Sequence, residues 1–301
     1  MSASVSPDWI AVDWGTTNLR AFAMQGGTVV DQAQSDQGMG GLTTDGFEPA
    51  LRALISPWIA AGNLPVIACG MVGSRQGWVE AAYRAVPCTP LDTVLTRAPA
   101  SGGLAVHVVS GLSQAAPPDV MRGEETQIAG FLQLNPGWDG VICLPGTHTK
   151  WAHLSAGEVV SFQTVMTGEL FALLGQSSVL RHSLDPDGWH DAAFAEAVGD
   201  TMAHPERLAA RLFGLRAGQL LQSTDGAIAR ARLSGLLIGS ELAATKAYWL
   251  GQNLAILGTG AQARAYRDAL ALQGAHAIPA DTDRATLAGL TAARRLLREA
   301  T

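Results

Sequence analysis

Two segments of the chain join a short apolar run to a glycine–threonine turn, a pattern suited to holding a phosphate. In the first, Trp9-Ile10-Ala11-Val12 runs into Asp13-Trp14-Gly15-Thr16-Thr17-Asn18, and Leu19 to Met24 restores apolar character. Gly15 lets the backbone approach a ligand with no Cβ in the way. The amides and hydroxyls of Thr16, Thr17 and Asn18 can then turn into one concavity, an anion nest. Asp13, at the strand end, faces the same space and suits Mg²⁺ held through water. In the second, Val141-Ile142-Cys143-Leu144 runs into Pro145-Gly146-Thr147-His148-Thr149-Lys150-Trp151, where Lys150 or His148 can neutralise phosphoryl oxygens. Lys150 and Lys246 are the two lysines of an otherwise arginine-rich chain, so a lysine in this loop stands out. The repeated device predicts two related half-structures facing one another.

Glu124 and Glu125 follow the Val120-Met121-Arg122-Gly123 stretch and open a helix whose apolar face is Ile128, Phe131 and Leu132. Acids in a first turn complement the helix dipole. Alternatively, one carboxylate serves as a general base. At about 100° per residue both flank the apolar arc, and spacing does not choose between them. Gly70-Met71-Val72-Gly73-Ser74 follows the apolar run Leu64–Ala68, at the strand end where open α/β sheets place ligands.

The elements that must position these residues read as follows. Thr28 to Ala33 closes a three-stranded meander, and Phe47–Ala61 has helical spacing with Pro57 near its end. Leu104–Val109 and Val159–Met166 read as strands, with Thr89–Ala98 irregular. Helices are predicted over Leu170–Leu180, Asp191–Thr201, Pro205–Gly214, from Ala217 onward, and over Leu233–Tyr248, where Gly239 would let a flat ligand approach closely. Asn253–Leu257 is a strand that enters Gly258-Thr259-Gly260. A helix over Gln262–Gln273, a strand at Ala275–Pro279 and a last helix to Glu299, capped by Asp281 or Thr282, complete the chain. A boundary is expected near Pro136–Gly140.

Composition narrows the class. With 301 residues, 48% hydrophobic and 15% charged, a large core is expected and disorder is not. A net charge of −6 with scattered arginines gives no basic stripe for nucleic acid. No apolar run approaches the roughly 20 residues of a membrane helix. The segment Met1–Asp8 lacks signal-peptide character, so a cytoplasmic location is expected. Cys69, Cys88 and Cys143 form no metal or disulfide pattern. Surface aromatics among the eight tryptophans would be compatible with a homo-oligomer.

The whole pattern resembles the sugar kinase, actin and heat-shock chaperone superfamily, and within it the 2-dehydro-3-deoxygalactonokinase family. The residues that carry the likeness are Asp13–Arg20, Gly70–Ser74, Val120–Gln127, Pro145–His148, Thr164–Leu170 and Ser234–Gly239. The resemblance implies two ribonuclease-H-like α/β domains with the active site in the cleft between them. The first would comprise 1–139, with the first phosphate hairpin and the sugar acid, joined by the C-terminal helix 281–301. The second, 140–280, would carry the second hairpin and the adenosine site. It implies ATP- and Mg²⁺-dependent phosphorylation of the 6-hydroxyl of 2-dehydro-3-deoxy-D-galactonate. Glu125 becomes the base, with Glu124 second and Asp13 the metal acid. Gly15 to Asn18 and Gly146 to Lys150 would clasp phosphates. Gly239, Gly258, Thr259 and Gly260 would border adenosine, and Arg20 or Arg122 would meet the substrate carboxylate. Gly70 to Ser74, with Thr167, Gly168 and Glu169, would line the substrate.

Other readings stay within reach of the residues. The same signature fits a kinase for 2-dehydro-3-deoxygluconate or a polyphosphate hydrolase. Gly258-Thr259-Gly260-Ala261-Gln262-Ala263 matches G-x-G-x-x-A after a strand, with Asp281 roughly 20 residues on, as in an NAD-dependent dehydrogenase. An ATP-binding regulatory protein on the same scaffold is the remaining alternative.

Overall fold

Apolar on both faces, β1 (Trp9–Trp14) can be satisfied only inside a sheet. The computed structural model, which describes residues 6–60, 62 and 64–299, places it there. β2 (Leu19–Gln25) pairs antiparallel with it, and β3 (Thr28–Ser35) completes the expected meander. After α1 (Phe47–Ile59), β4 (Val66–Gly70) runs parallel to β1. The helix reading extended to Ala61, which lies outside the described residues; α1 runs two residues beyond Pro57. β5 (Tyr83–Ala85) precedes β6 (Thr96–Arg97) and β7 (Val106–Val108), which complete the order β3-β2-β1-β4-β7-β6. β5 instead joins β8 (Gly111–Gln114) and β9 (Asp119–Met121) in a small sheet that the sequence reading lacked. α2 (Glu124–Leu134) follows.

The second sheet repeats the plan. β10 (Gly140–Leu144), β11 (Thr149–Ser155) and β12 (Glu158–Val165) lead into α3 (Thr167–Ser177), α4 (Asp191–Ala203), α5 (Leu208–Gln222), α6 (Gly226–Ala244) and the short α7 (Lys246–Trp249). β13 (Leu254–Leu257), α8 (Gly260–Leu272) and β14 (Ala277–Ala280) then form a parallel βαβ unit, giving the order β12-β11-β10-β13-β14. In both sheets consecutive strands fan out on one side of the first strand and two parallel strands join its other side, the first sheet adding β6 antiparallel at its edge. The α/β architecture is the expected pair of ribonuclease-H-like sheets.

Two helix readings change. Pro205–Arg207 is a single tight turn, and the rest of that segment joins the one from Ala217 in one helix, α5, with Gly214 and Gly218 inside it; each helical glycine costs only about 1 kcal/mol. α6 begins earlier than expected, at Gly226, because Asp225 caps it through the Ala227 N–H at 2.7 Å.

The last helix, α9 (Thr282–Glu299), begins where Asp281 accepts the Arg284 N–H at 2.7 Å. It lies backbone to backbone on α2. A Cβ on Gly130 would come within 1.8 Å of the Ala285 carbonyl oxygen, and one on Gly289 within 1.9 Å of that of Thr126. The chain divides into two units, one holding the residues up to Asp139 with Leu154–Ser161 and those from Asp281 on, the other Gly140–His153 with Phe162–Ala280. The first has a core around Ile10, Val12, Trp14 and Phe47, the second around Trp151, Phe194, Trp249 and Tyr266. Among the described residues, no helix is long and apolar enough to cross a membrane.

Candidate active site

In the first unit the reactive residues gather where β1, β4 and α2 meet. Strand pairing sets Asp13 opposite Arg20 on β2 and opposite Cys69 on β4. Arg20 donates to Asp13 Oδ2 at 2.6 Å and, through its other terminal nitrogen, to Asp283 Oδ1 at 2.6 Å. Burial opposes the arginine's charge, but these two carboxylates outweigh it and hold the guanidinium more firmly protonated than usual. The turn beyond Asp13 is pinned by Gly15 N–H to Asn18 O at 2.9 Å and by Gly40 N–H to Thr16 O at 2.9 Å. The side chains of Thr16, Thr17 and Asn18 stand exposed.

Two glycines open the space beside Asp13. Gly70 ends β4 at φ 92°, where a Cβ would lie 2.7 Å from the Trp14 carbonyl oxygen and 3.5 Å from Asp13 Oδ1. Gly123, at φ 101°, precedes α2, and a Cβ there would touch the Gly70 Cα at 3.4 Å. Both conformations favour glycine. From this junction Glu125 turns inward and is fully buried. Its Oε2 accepts the Gly123 N–H at 2.6 Å and its Oε1 the Thr126 hydroxyl at 3.0 Å. Burial, then the nearby charge of Glu124, push its carboxyl up to about 8. Glu124 is half-buried and accepts the Arg122 backbone N–H at 3.0 Å. The Cys69 thiol, buried between them, feels the charges of both Asp13 and Glu125, which places the two acids around one point.

The loop after β4 is a tight turn over Met71–Gly73, with Val72 and Gly73 buried and Ser74 only 5% exposed. Arg122 lies under it, 8% exposed. Its NH2 donates to the Ala81 carbonyl at 2.7 Å and its guanidinium sits 4.3 Å over the Tyr83 ring.

In the second unit the Gly146–His148 turn is braced from behind. A Cβ on Gly168 would fall 2.2 Å from the Gly146 carbonyl oxygen, the Glu169 N–H donates to Thr147 O at 2.9 Å, and Gln262 Nε2 reaches Gly146 O at 2.9 Å. His148 Nε2 meets Glu169 Oε2 at 2.5 Å. Thr167, Gly168 and Glu169 therefore form the bracing helix start of this hairpin. Thr149 is buried, and Lys150 is buried rather than at the surface. Behind the strand, Glu241 Oε1 accepts the Trp151 indole N–H at 2.7 Å, and its Oε2 accepts the Tyr266 hydroxyl at 2.6 Å. The Thr149 hydroxyl in turn lies 2.8 Å from that of Tyr266. Burial pushes the Glu241 carboxyl up from its ordinary value.

A cavity of about 610 Å³ opens next to this hairpin, within the size range of small-molecule sites. Gly146, Thr147, Thr167, Phe171, Trp189, Arg230 and Gln262 are among its walls, with Arg230 5.1 Å over the Phe171 ring. Thr259 and Gly260, at the start of α8, are exposed beside the cavity residues Ala261 and Gln262. Gly258 is half-buried against Ala263. Phe171, Trp189 and Arg230 come from α3, a loop and α6; no motif joins them, so the sequence reading missed them. Trp189 is the one tryptophan exposed above the intermediate range, at 44%, and it faces this cavity.

The structure gives two further residues of the sequence reading a packing or capping role. Gly239 is not among the walls of this cavity: a Cβ there would lie 2.7 Å from Thr201 Oγ1 and from the Val198 carbonyl oxygen, so the glycine serves the close packing of α6 on α4. Asp281, the acid of the dinucleotide reading, instead caps α9.

Among the described residues, no three His, Cys, Asp or Glu side chains cluster to cage a metal. Asp13 nonetheless suits water-mediated Mg²⁺. Arg20 engages its Oδ2, while Oδ1 meets the Cys69 thiol at 3.9 Å. Mg²⁺ usually takes one or two carboxylates and keeps several waters.

Comparison with known proteins gives consistent results. A family profile described as 2-keto-3-deoxy-galactonokinase matches residues 13–293. A Rhizobium meliloti (strain 1021) protein designated 2-dehydro-3-deoxygalactonokinase is 39% identical over 298 residues, 96% of this chain and 97% of its own. The Escherichia coli (strain K12) 2-dehydro-3-deoxygalactonokinase is 35% identical over 288 residues, 94% and 96% of the two chains. A crystal structure from Sinorhizobium meliloti with the same designation superposes with a TM-score of 0.89 at 38% identity, over 95% of this chain and 98% of that one. Component A of the (R)-2-hydroxyglutaryl-CoA dehydratase of Acidaminococcus fermentans shares the fold at 13% identity, with a TM-score of 0.53 over 97% and 100%.

Proposed function

The chain belongs to the 2-keto-3-deoxy-galactonokinase family, and from that premise we propose how its residues carry out ATP-dependent phosphorylation of a sugar acid. The enzyme is a phosphotransferase with an alcohol acceptor, acting in galactonate catabolism on 2-dehydro-3-deoxy-D-galactonate at its 6-hydroxyl. The observation that carries the assignment of roles is the gathering of Asp13, Gly70, Gly123 and Glu125 at one strand-end junction.

Phosphoryl transfer asks the protein mainly for positioning and charge stabilisation. The Gly15–Asn18 turn offers amides and hydroxyls to the transferring phosphoryl group. Asp13, steered by Arg20, would hold Mg²⁺ through water. When bound, Mg²⁺ neutralises developing charge on the phosphates. The side-chain-free surface of Gly70 and Gly123 admits the acceptor hydroxyl next to Glu125. A carboxyl near 8 is a stronger base than an ordinary glutamate and holds the acceptor's proton as the oxygen attacks. Within the second unit, Thr167 and the Gly146–Lys150 hairpin offer donors to nucleotide phosphates beside the cavity. The adjoining cavity receives the nucleoside, with Phe171, Trp189 and Arg230 offering faces for the base.

A coupled ATP assay against a panel of 2-dehydro-3-deoxy sugar acids tests the reading. Turnover should be highest with the galactonate-derived acid and absent without Mg²⁺. ATP consumption indifferent to the sugar acid would refute it.

A further inference from the structure

A buried arginine normally has its donors matched, because a desolvated charge without partners costs several kcal/mol. Arg122 does not follow this rule. Its guanidinium carries five N–H donors, and those on Nε and NH1 are buried with no acceptor. Among the described residues no carboxylate forms an ion pair with it, and the nearest acid in sequence, Glu124, takes its backbone N–H. The Ser74 hydroxyl is likewise buried and has no partner among the described residues. Ser74 follows Gly73, where a Cβ would fall 2.8 Å from Arg122 NH1.

The surroundings hold these groups in place. The Ala81 N–H donates to Gly73 O at 3.0 Å while Ala81 O takes one Arg122 N–H, and the Ser74 N–H closes on Met71 O at 3.0 Å. Tyr83 stacks on the guanidinium from one side. What is missing is an acceptor with more than one oxygen and a negative charge. Arg20, the other arginine near the acids, is already matched by Asp13 and Asp283.

We propose that Arg122 and Ser74 form the subsite for the carboxylate of the acceptor, making this pair the determinant that selects a sugar acid over a neutral sugar. The inference rests on the kinase reading above, and it deepens that reading by fixing which end of the acceptor this loop holds. With its carboxylate there, the far hydroxyl of the substrate is the end left for Glu125. Gly73 is part of the device, since any side chain at this position would push the guanidinium aside.

The test is calorimetric titration of the sugar acid without ATP, alongside melting curves, on wild type, Arg122→Met and Ser74→Ala. Both variants should bind the acid more weakly, about 100-fold for Arg122→Met and about 10-fold for Ser74→Ala. In turnover, the KM for ATP should stay within twofold. The ligand-free Arg122→Met protein should melt no lower than wild type, because it removes an unmatched charge. An arginine with a purely structural role would lower the melting temperature and leave acid affinity alone. Unchanged acid affinity in both variants, or no binding of the acid by wild type, would overturn the subsite. Wild-type binding without phosphorylation would overturn the kinase reading and leave the subsite standing.

Discussion

Arg20 and Asp283 lie far apart in the chain yet meet at 2.6 Å, so the first turn of α9 reaches the acid at the end of β1 through one guanidinium. Asp13 thus has its orientation set from two directions, by its cross-strand neighbour and by the helix that finishes the chain. Asp283→Asn should therefore raise the half-saturating Mg²⁺ concentration and lower kcat several-fold. Stability should change by less than about 1 kcal/mol, because Asp283 is 64% exposed and exposed pairs contribute little. Mg²⁺ titration of initial rates checks this; an unchanged curve would detach Arg20 from the metal acid.

Glu125→Gln should retain nucleotide binding while turnover falls roughly 10²–10⁴-fold. Glu124→Gln should cost far less. In wild type the rate should climb with pH toward about 8, the value at which the buried carboxyl ionises. A variant with near-normal turnover would remove Glu125 from the chemistry.

The same carboxyl makes a stability prediction with a definite sign. Its folded value of about 8 lies above the ordinary 4.5. Below 4.5 both folded and unfolded chains carry the proton. Between 4.5 and 8 only the unfolded chain releases it, so this group's contribution to stability is lost as pH rises through that window. Melting curves of wild type and Glu125→Gln should accordingly diverge in the variant's favour from pH 5 to pH 8.

Gly239→Ala tests the packing role of that glycine. A methyl group 2.7 Å from the Val198 carbonyl must spread α4 from α6, with an expected loss of about 1–3 kcal/mol. Protein that still folds should keep its KM for ATP. Intact stability with weakened ATP binding would restore the adenosine role.

Glu241→Gln places an amide where both the Trp151 and Tyr266 donors expect an oxygen. One donor must then face an NH₂ group, at a cost of about 1–3 kcal/mol. The Trp151 emission should shift as the acceptor of its indole N–H changes, and the KM for ATP should rise as Thr149 and Tyr266 loosen behind the hairpin.

What the sequence revealed follows from how locally each feature is encoded. Both Gly-Thr turns, the Glu124-Glu125 helix start and the Asp281 cap lie within a few consecutive residues, and each appears where spacing puts it. The packing of Gly239 on α4 was hidden because a helical glycine suits a ligand or a neighbouring helix equally well in sequence. The wall of Phe171, Trp189 and Arg230 is assembled from separate elements that share no pattern. The distinction between Arg20 and Arg122 was also hidden: it depends on Asp283 and Ala81, which the fold alone brings to those side chains.

Because Gly130 and Gly289 let α9 seat directly on α2, the unit bearing Asp13 and Glu125 is assembled from stretches separated by most of the second unit. A nascent chain on the ribosome must thread out that second unit before the first can close. Until then the glycine face of α2 is without the helix it fits.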